Sequence, residues 1–552
     1  MFNKRKLICA ALGMFMFAQL QAQVSFGGSP RFSTEKSIAS ESVVSLETID
    51  NDVYLAEDIN LSGKGSAMRV GVIQKTNLSN KTHGTVEVLD NGDRIWRLTI
   101  RSNGATFMFP SFKTFDIPAG AELFVYDASH EFVIGKFTAE SALPEGNFYT
   151  QSIPGDEITI EYYEPYEVAG LGTLVIDEVG HGYKDLFNMM ENNTKAPHGA
   201  SEGDCHINVV CEEGDNFRDQ IRSVVCYEIV VGNYVYMCSG ALINNTRNDK
   251  TNYVLSAYHC QDVGGTITRF VFYFNYQTHA CNGISGQSSN SVVGADIVAK
   301  NSASDFMLMK LKNRIPDSYK VYYAGWTRSG ANPSVGACIH HPGGDWKKIS
   351  IPRSVQSAAA SGSDANFWNV KWYSGDDNKG VTEQGSSGSA LFNAQGLIVG
   401  QLYAGASGCE YLYQNTGNLF DYYGKLSKSW TGGGSANRRL SDWLDPDGTN
   451  VESLQGINWD YSADSLGINA AVEQNKMSVY PNPSNGVFNV DIDEIGMANY
   501  YIYDMMGRCV QTAAIMLNSN SYQLKAEGLQ EGTYILEIQV NGKKYTKTIV
   551  LK

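Results

Sequence analysis

The stretch Glu383-Gln384-Gly385-Ser386-Ser387-Gly388-Ser389-Ala390-Leu391-Phe392 decides how this chain is read. A serine stands among small residues just before an apolar run, the pattern of a tight turn feeding a buried strand. Glycines let backbone N–H groups approach a bound carbonyl, so Ser387 reads as a nucleophile. Taken alone, Gly-Ser-Ser-Gly-Ser is more simply a flexible loop, and the rest of the chain has to decide between the two.

A serine hydroxyl attacks only if a base removes its proton, and a base titrating near neutrality is a histidine. That histidine in turn needs a buried acid to hold its tautomer and stabilise its cation. Val254-Leu255-Ser256-Ala257-Tyr258-His259-Cys260 runs an apolar strand into small residues, then His259, then a cysteine. Ser304-Asp305-Phe306-Met307-Leu308-Met309-Lys310-Leu311 places Asp305 at the head of an apolar strand. A hydrogen-bonded structural histidine and a strand-start cap are the simpler accounts of each taken alone. The order is what combines them. An α/β-hydrolase runs serine, acid, histidine and needs Gly-x-Ser-x-Gly, whereas position 389 is serine. Subtilisin-type enzymes run Asp, His, Ser; the order His259, Asp305, Ser387 is that of double-β-barrel serine proteases.

Length and composition agree. The chain has 552 residues, enough for three or four domains, and a formal net charge of −15, which argues against non-specific nucleic-acid binding. Lys4, Arg5 and Lys6, the apolar run Leu7 to Ala18 and Leu20-Gln21-Ala22 read as an export signal cleaved after Ala22, at residues 1–22. The apolar run is short for a bilayer, and no later segment is apolar enough, so the mature protein is expected to lack a transmembrane segment. Export makes disulfides the default reading of the cysteines, which cluster between Cys205 and Cys409.

Residues 23–195 hold no cysteine and read as β-rich; from Thr85 to Glu164 the pattern suggests a β-meander. Residues 196–460 carry the cysteine cluster and short β-patterned runs, which suits a β-barrel domain. A linker at 461–475 precedes a β-patterned segment, 476–552, of the size of a small immunoglobulin-like β-sandwich. The expected class is all-β.

The stretches Cys205-His206-Ile207-Asn208-Val209-Val210-Cys211, Leu255 to Cys260, Ser304 to Leu308, Ala324-Gly325-Trp326, Ile339-His340-His341-Pro342, Val381 to Ser389, Gly400-Gln401-Leu402, Ser429 to Gly434 and Arg439 to Leu444 together resemble bacterial lysyl endopeptidases, a branch of the chymotrypsin-like serine proteases. The resemblance covers about 200 to 455. It implies a chymotrypsin-like double β-barrel, His259 as general base and acid, Asp305 as the orienting carboxylate, Ser387 as nucleophile and the N–H groups of Gly385 and Ser387 as the oxyanion hole. It also implies the bridges Cys205–Cys409, Cys211–Cys281 and Cys238–Cys260, leaving Cys226 and Cys338, which are expected to pair; two buried free thiols are the alternative.

In ordinary trypsins the pocket carboxylate lies six residues before the nucleophile, where this chain has Val381. The lysyl endopeptidases place it downstream, and Asp421-Tyr422-Tyr423-Gly424 matches that place, with Glu410 a competitor. Gln401-Leu402-Tyr403-Ala404-Gly405 is expected to pair with the substrate backbone. Two departures stand out. The family's pocket-rim histidine is Tyr403 here, and the tryptophan that stacks on it has no equivalent among Ala358 to Ser363.

The flanks add two resemblances. Residues 23–195 resemble the propeptides of these proteases, removable at Lys195–Ala196. Tyr480-Pro481-Asn482-Pro483, Gly486, Tyr503-Asp504, Gly507-Arg508 and Gly532-Thr533-Tyr534 resemble the C-terminal sorting domain of the type IX secretion system. The expectation is therefore a secreted serine endopeptidase zymogen, acting on protein or peptide substrates after Lys, with Arg left open. No cofactor is called for. Zinc is not expected, since no His-Glu-x-x-His occurs and His340-His341 reads as structural. The partner in export would be the type IX machinery. The rival is a non-catalytic adhesion protein on a protease fold.

Overall fold

A computed structural model describes residues 29–31, 42–61, 66–186, 205–461 and 477–552, with short interruptions at 144, 284–285, 288–289, 361–364, 375–378, 413–418, 493–494, 505–507, 518–520, 527 and 541–542. The expected signal with Ala22, the processing point at Lys195 and most of the 461–475 linker lie outside these residues. The chain divides into two units, 1–461 and 462–552. Among the described residues no helix is long and apolar enough to cross a membrane.

The catalytic candidates sit on two β-barrels. In the first, the Val224–Val231 strand pairs antiparallel with Tyr234–Leu242 and with Ile267–Phe274. Tyr234–Leu242 pairs with Tyr253–Ala257, that strand with Phe306–Leu311, and that one with Ala295–Asn301. In the second, Ala337–His340, Ala390–Phe392, Ile398–Gly405, Phe420–Lys425 and Phe367–Trp372 follow one another across the sheet. These strands read as near-continuous apolar runs because both faces are covered. Phe306, Met307, Leu308 and Met309 are all fully buried. A core of Leu255, Phe306, Trp326, Ile339, Phe392, Ile398 and Trp430 joins strands of both barrels. Burying these side chains, at about 1.5–3 kcal/mol each, holds the walls of the site.

The N-terminal region forms two sheets. In one, Arg94–Arg101 pairs with Thr85–Val88 and with Glu157–Glu164, and Glu157–Glu164 pairs with Glu122–Asp127. The strands expected from the alternation are there, but the meander is not: Glu157–Glu164 inserts between earlier strands. Period-two alternation shows which face of a strand is apolar and is silent about the neighbour it will find.

The other sheet is continuous with the first barrel. The Thr173–Gly182 strand lies between Phe107–Asp116 and Met68–Ser79. Met68–Ser79 then pairs with the Tyr234–Leu242 strand of the first barrel, with Met68 opposite Met237 and Val72 opposite Tyr234. Met68, Val70, Phe107, Phe109 and Tyr149 thus share one core with Val230, Met237, Val271 and Tyr273.

The C-terminal unit is a sandwich of a three-stranded and a four-stranded sheet. Phe488, Ile502, Leu517, Leu536 and Ile538, each 2 % exposed or less, form its core.

Candidate active site

The Tyr253–Ala257 strand runs into a single 3-10 turn, Tyr258–Cys260, that carries His259. The Cys238–Cys260 disulfide ties that turn to the neighbouring strand. Asp305 heads the next strand at φ +54°, a left-handed conformation that aspartate tolerates better than most residues. Its carboxylate accepts the His259 backbone N–H at 3.0 Å, and its other oxygen lies 2.8 Å from His259 Nδ1. Burial pushes the Asp305 carboxyl up, against the pull of His259. The bond to Nδ1 leaves Nε2 as the basic nitrogen; it is buried with no hydrogen-bond partner among the described residues.

Ser387 follows Gly385, whose φ is +88°. A Cβ at Gly385 would meet His341 O at 2.7 Å and Gly344 N at 2.8 Å, so this turn closes only with glycine. Hydrogen bonds fix the turn from behind. Ser239 N–H donates to Ser387 O, Ser239 Oγ donates to Gly385 O, and His340 Nδ1 lies 2.7 Å from Ser386 Oγ. His340 therefore buttresses the Ser387 turn, and His341 bonds Asp345 O and stacks on Tyr276. Among the described residues the N–H groups of Gly385 and Ser387 have no backbone partner. Ser387 lines one cavity with Thr382, Gln384, Leu402, Tyr403 and, from the N-terminal region, Ser66. The His259 ring is 6.0 Å from the Tyr403 ring.

Asp421 is fully buried where the second barrel meets this cavity. It accepts hydrogen bonds from Trp372 Nε1 (2.6 Å), Thr382 Oγ1 (2.6 Å) and Ser407 Oγ (2.5 Å). A Cβ at Gly405 would fall 1.9 Å from Asp421 Oδ1, so glycine there leaves room for the carboxylate. Glu410, the competitor, is exposed on a short helix, and Val381 is buried in the barrel core. Tyr403, Ala404 and Gly405 are half-buried. Their strand bonds Phe420–Lys425 on one side, while its pairing with Ala390–Phe392 ends at Gln401. The edge of Tyr403–Gly405 beyond Ser389 is where an extended peptide could add as a strand.

Several supporting residues escaped the sequence reading. Trp372, Thr382 and Ser407 cradle Asp421 although they come from three separated segments. Phe367 packs on Tyr403, ring centroids 5.2 Å apart and tilted. The one available signal was the strand alternation of Phe367-Trp368-Asn369-Val370. Glu383 is held by His206 Nε2 at 3.0 Å and by the Cys409 N–H.

The structure forms Cys205–Cys409, Cys211–Cys281 and Cys238–Cys260. The expected Cys226–Cys338 bridge is corrected: both are buried free thiols. Cys226 belongs to the core shared with the N-terminal region and Cys338 to the core of the second barrel. Burial pushes the Cys338 thiol up to about 12. Cys205, His206 and Cys409 place ligand atoms within 4.8 Å of one another, but the disulfide removes both thiolates as metal ligands.

Residues 199–424 match the family model "Lysyl endopeptidase, C-terminal domain", and residues 478–552 match "Secretion system C-terminal sorting domain". A lysyl endopeptidase of Pseudomonas aeruginosa is 28 % identical over 374 residues, covering 62 % of this chain and 76 % of that protein. Among solved structures, protease Anisep of Arthrobacter nicotinovorans is 14 % identical with a TM-score of 0.28, covering 38 % of this chain and 91 % of that one. A Glu endopeptidase is 17 % identical with a TM-score of 0.27, covering 40 % and 92 %.

Proposed function

We propose that this chain, a lysyl endopeptidase-like serine protease with a secretion-system sorting domain at its C-terminal end, cleaves proteins on the carboxyl side of lysine through an acyl-enzyme. The sorting domain places the protein outside the cell or on the outer-membrane surface. The observation that carries the chemistry is the His259–Asp305 pair, with Nδ1 held by the carboxylate and Nε2 buried without a hydrogen-bond partner among the described residues.

In this reading Ser387 Oγ attacks the scissile carbonyl carbon and its proton passes to His259 Nε2. The carbonyl oxygen becomes an oxyanion that takes hydrogen bonds from the Gly385 and Ser387 N–H groups. Collapse breaks the C–N bond, and His259 returns the proton to the leaving amine. Water then repeats the sequence at the acyl-enzyme, releasing the acid and restoring Ser387. Asp305 stays ionised and stabilises the imidazolium.

Specificity rests on Asp421. An ammonium entering beside Tyr403–Gly405 would meet a buried carboxylate already oriented by Trp372, Thr382 and Ser407. A neutral side chain would leave that charge uncompensated, which costs about 3–5 kcal/mol. Ala404 and Gly405, small and half-buried, leave the entrance open.

Fluorophosphonate labelling and a P1 profile test both layers. Ser387→Ala is expected to abolish labelling and lower kcat by roughly 10⁶-fold. Asp421→Asn is expected to keep labelling but lower kcat/KM for lysyl substrates by roughly 10²–10⁴-fold, the rate equivalent of 3–5 kcal/mol. Absence of labelling in the wild type, with its cleft open, would favour a non-catalytic binding protein. A profile without preference for lysine would overturn the assignment of Asp421.

A further inference from the structure

The turn that carries Ser387 rests on a hydroxyl that neither the triad nor the Asp421 pocket uses. Ser239 follows Cys238 on the Tyr234–Leu242 strand and is fully buried. Its N–H donates to Ser387 O at 2.8 Å, and its Oγ donates to Gly385 O at 2.9 Å. The same Oγ accepts the His341 N–H at 3.0 Å, and the Ser239 carbonyl accepts Ser256 Oγ at 2.8 Å. Ser256 Oγ in turn lies 2.9 Å from Tyr227 OH. Tyr227, Ser256 and His341 are fully buried as well, so bulk water cannot take over any of these bonds.

The proton order along this chain has one solution. A carbonyl carries no hydrogen, so Ser256 spends its only hydroxyl proton on Ser239 O, and Ser239 spends its own on Gly385 O. Tyr227 must then donate to Ser256, and its ring is held for this by stacking on Phe272, centroids 5.4 Å apart. From another segment, the Gly343 N–H donates to Gln384 O at 2.6 Å. Each of the two peptide planes that meet at Gly385 is therefore held by a donor, one through Gln384 O and one through Gly385 O. In a trans peptide the N–H points away from the C=O, so drawing Gln384 O toward Gly343 turns the Gly385 N–H the other way. Holding Ser387 O on the Ser239 N–H stops the far end of the turn from rotating. The fit leaves no slack: a Cβ at Gly388 would overlap Ser256 Oγ and stand 2.6 Å from Ser239 O.

We propose that Ser239 is a positioning residue of the peptidase: its hydroxyl sets the direction of the Gly385 and Ser387 N–H groups, and Tyr227 and Ser256 hold that hydroxyl in place. Tyr227, Ser239 and Ser256 belong to strands of the first barrel, whereas Gly385 and Ser387 precede a strand of the second. Ser256 stands on the strand that leads into the His259 turn. The hydroxyl thus couples the placement of the base to the placement of the two amides across the boundary between the barrels. Donors aimed in advance at the position where negative charge develops lower the barrier, and misdirected donors do not. Loss of the hydroxyl should act on the transition state and spare substrate binding, because the lysine ammonium would be held by Asp421, which has its own donors in Trp372, Thr382 and Ser407. The catalytic half of this inference rests on the peptidase reading; the structural half, that the hydroxyl holds the turn, does not.

The test compares Ser239→Thr with Ser239→Val in the full chain as secreted, since the two new side chains have nearly one shape and differ in the hydroxyl. Ser239→Val is expected to lower kcat on a lysyl amide substrate by roughly 10–10²-fold while KM stays within about threefold of wild type. Ser239→Thr is expected to recover most of that loss. A peptide aldehyde ending in lysine forms a hemiacetal whose oxygen sits on the same amides, and its affinity should fall by the factor lost in kcat/KM. The Ser386 and Ser389 amides, bonded within the turn, should exchange with solvent roughly tenfold faster in Ser239→Val than in Ser239→Thr. Tyr227→Phe keeps the ring and removes the first donor; it is expected to lower kcat severalfold at unchanged KM. Equal kcat in Ser239→Val and Ser239→Thr overturns the proposal, and so does a loss carried by KM alone. Should Ser239→Val fail to fold, Tyr227→Phe decides, and a kcat equal to wild type overturns it. A wild type that takes no fluorophosphonate refutes the peptidase reading instead; amide exchange then still decides whether the hydroxyl holds the turn, and equal exchange in the two variants says it does not.

Discussion

The two β-rich flanks read alike in sequence and fold into opposite relationships. Residues 477–552 complete a core of their own, with Phe488, Ile502 and Leu536 buried between two sheets. The N-terminal region completes only one of its cores. Its second sheet runs on into the first barrel through the Met68–Ser79 strand, and its apolar residues are shared with Val230, Met237 and Val271. The difference lies in where each edge strand finds a partner. A strand with an open edge is a template for pairing, and here the first barrel offers Tyr234–Met237 as that template. A flank that builds its own core leaves the barrel cores covered when it is lost; a flank that borrows half a core exposes the apolar face it shared.

The largest expected effects follow from paired core truncations. Phe109→Ala in the N-terminal region and Leu536→Ala in the C-terminal unit each empty a fully buried site, at about 3–5 and 2–5 kcal/mol. In calorimetry of the intact chain, Leu536→Ala is expected to lower one transition and leave the other where it was. Phe109→Ala is expected to lower the transition that carries the protease. A drop in both transitions for Leu536→Ala would break the comparison.

Acid is expected to act on the N-terminal flank next. His181 is fully buried between Ser102 Oγ and Asn51 Oδ1. Burial lowers its pKa to about 4, opposed by Asp156. The fold therefore holds the neutral ring. Between the unfolded value, about 6.5, and about 4, the unfolded chain binds a proton that the folded chain does not. The stabilisation is complete above about pH 6.5 and falls as pH drops toward 4, by on the order of 3 kcal/mol. Denaturant midpoints of the protease-bearing transition should fall across that window, and His181→Gln should flatten the slope.

The smallest effect sharpens the same contrast from the surface. Arg508–Asp504 in the C-terminal unit is an ion pair whose arginine is 78 % exposed. Arg508→Ala is expected to move stability by less than about 0.5 kcal/mol, because water already solvates the exposed guanidinium. A larger shift in thermal melting would mean that the pair carries structural weight.

Much of the candidate site is legible in the amino-acid order alone. His259, Asp305 and Ser387 stand in local contexts whose apolar runs, small residues and chain order are themselves the signal, and the fold brings His259 and Asp305 to 2.8 Å. Asp421 is legible through resemblance, but its cradle is not: Trp372, Thr382 and Ser407 reach it from separated segments, and no local pattern records that meeting. Phe367 escapes for the same reason. The Cys226–Cys338 pairing failed because leftover counting treats two thiols as neighbours, whereas packing placed them in different cores.

The amino-acid sequence by itself determined the strands, their apolar faces, the turn at Gly385 and the order of the reactive residues, because each follows from chemistry within a short local stretch. Only the tertiary structure decided which edges meet. Strand pairing is a long-range choice among edges of similar hydrogen-bonding capacity, settled by the area buried when they join. That choice put Met68 beside Met237, and so put a residue of the N-terminal flank into the cleft of Ser387.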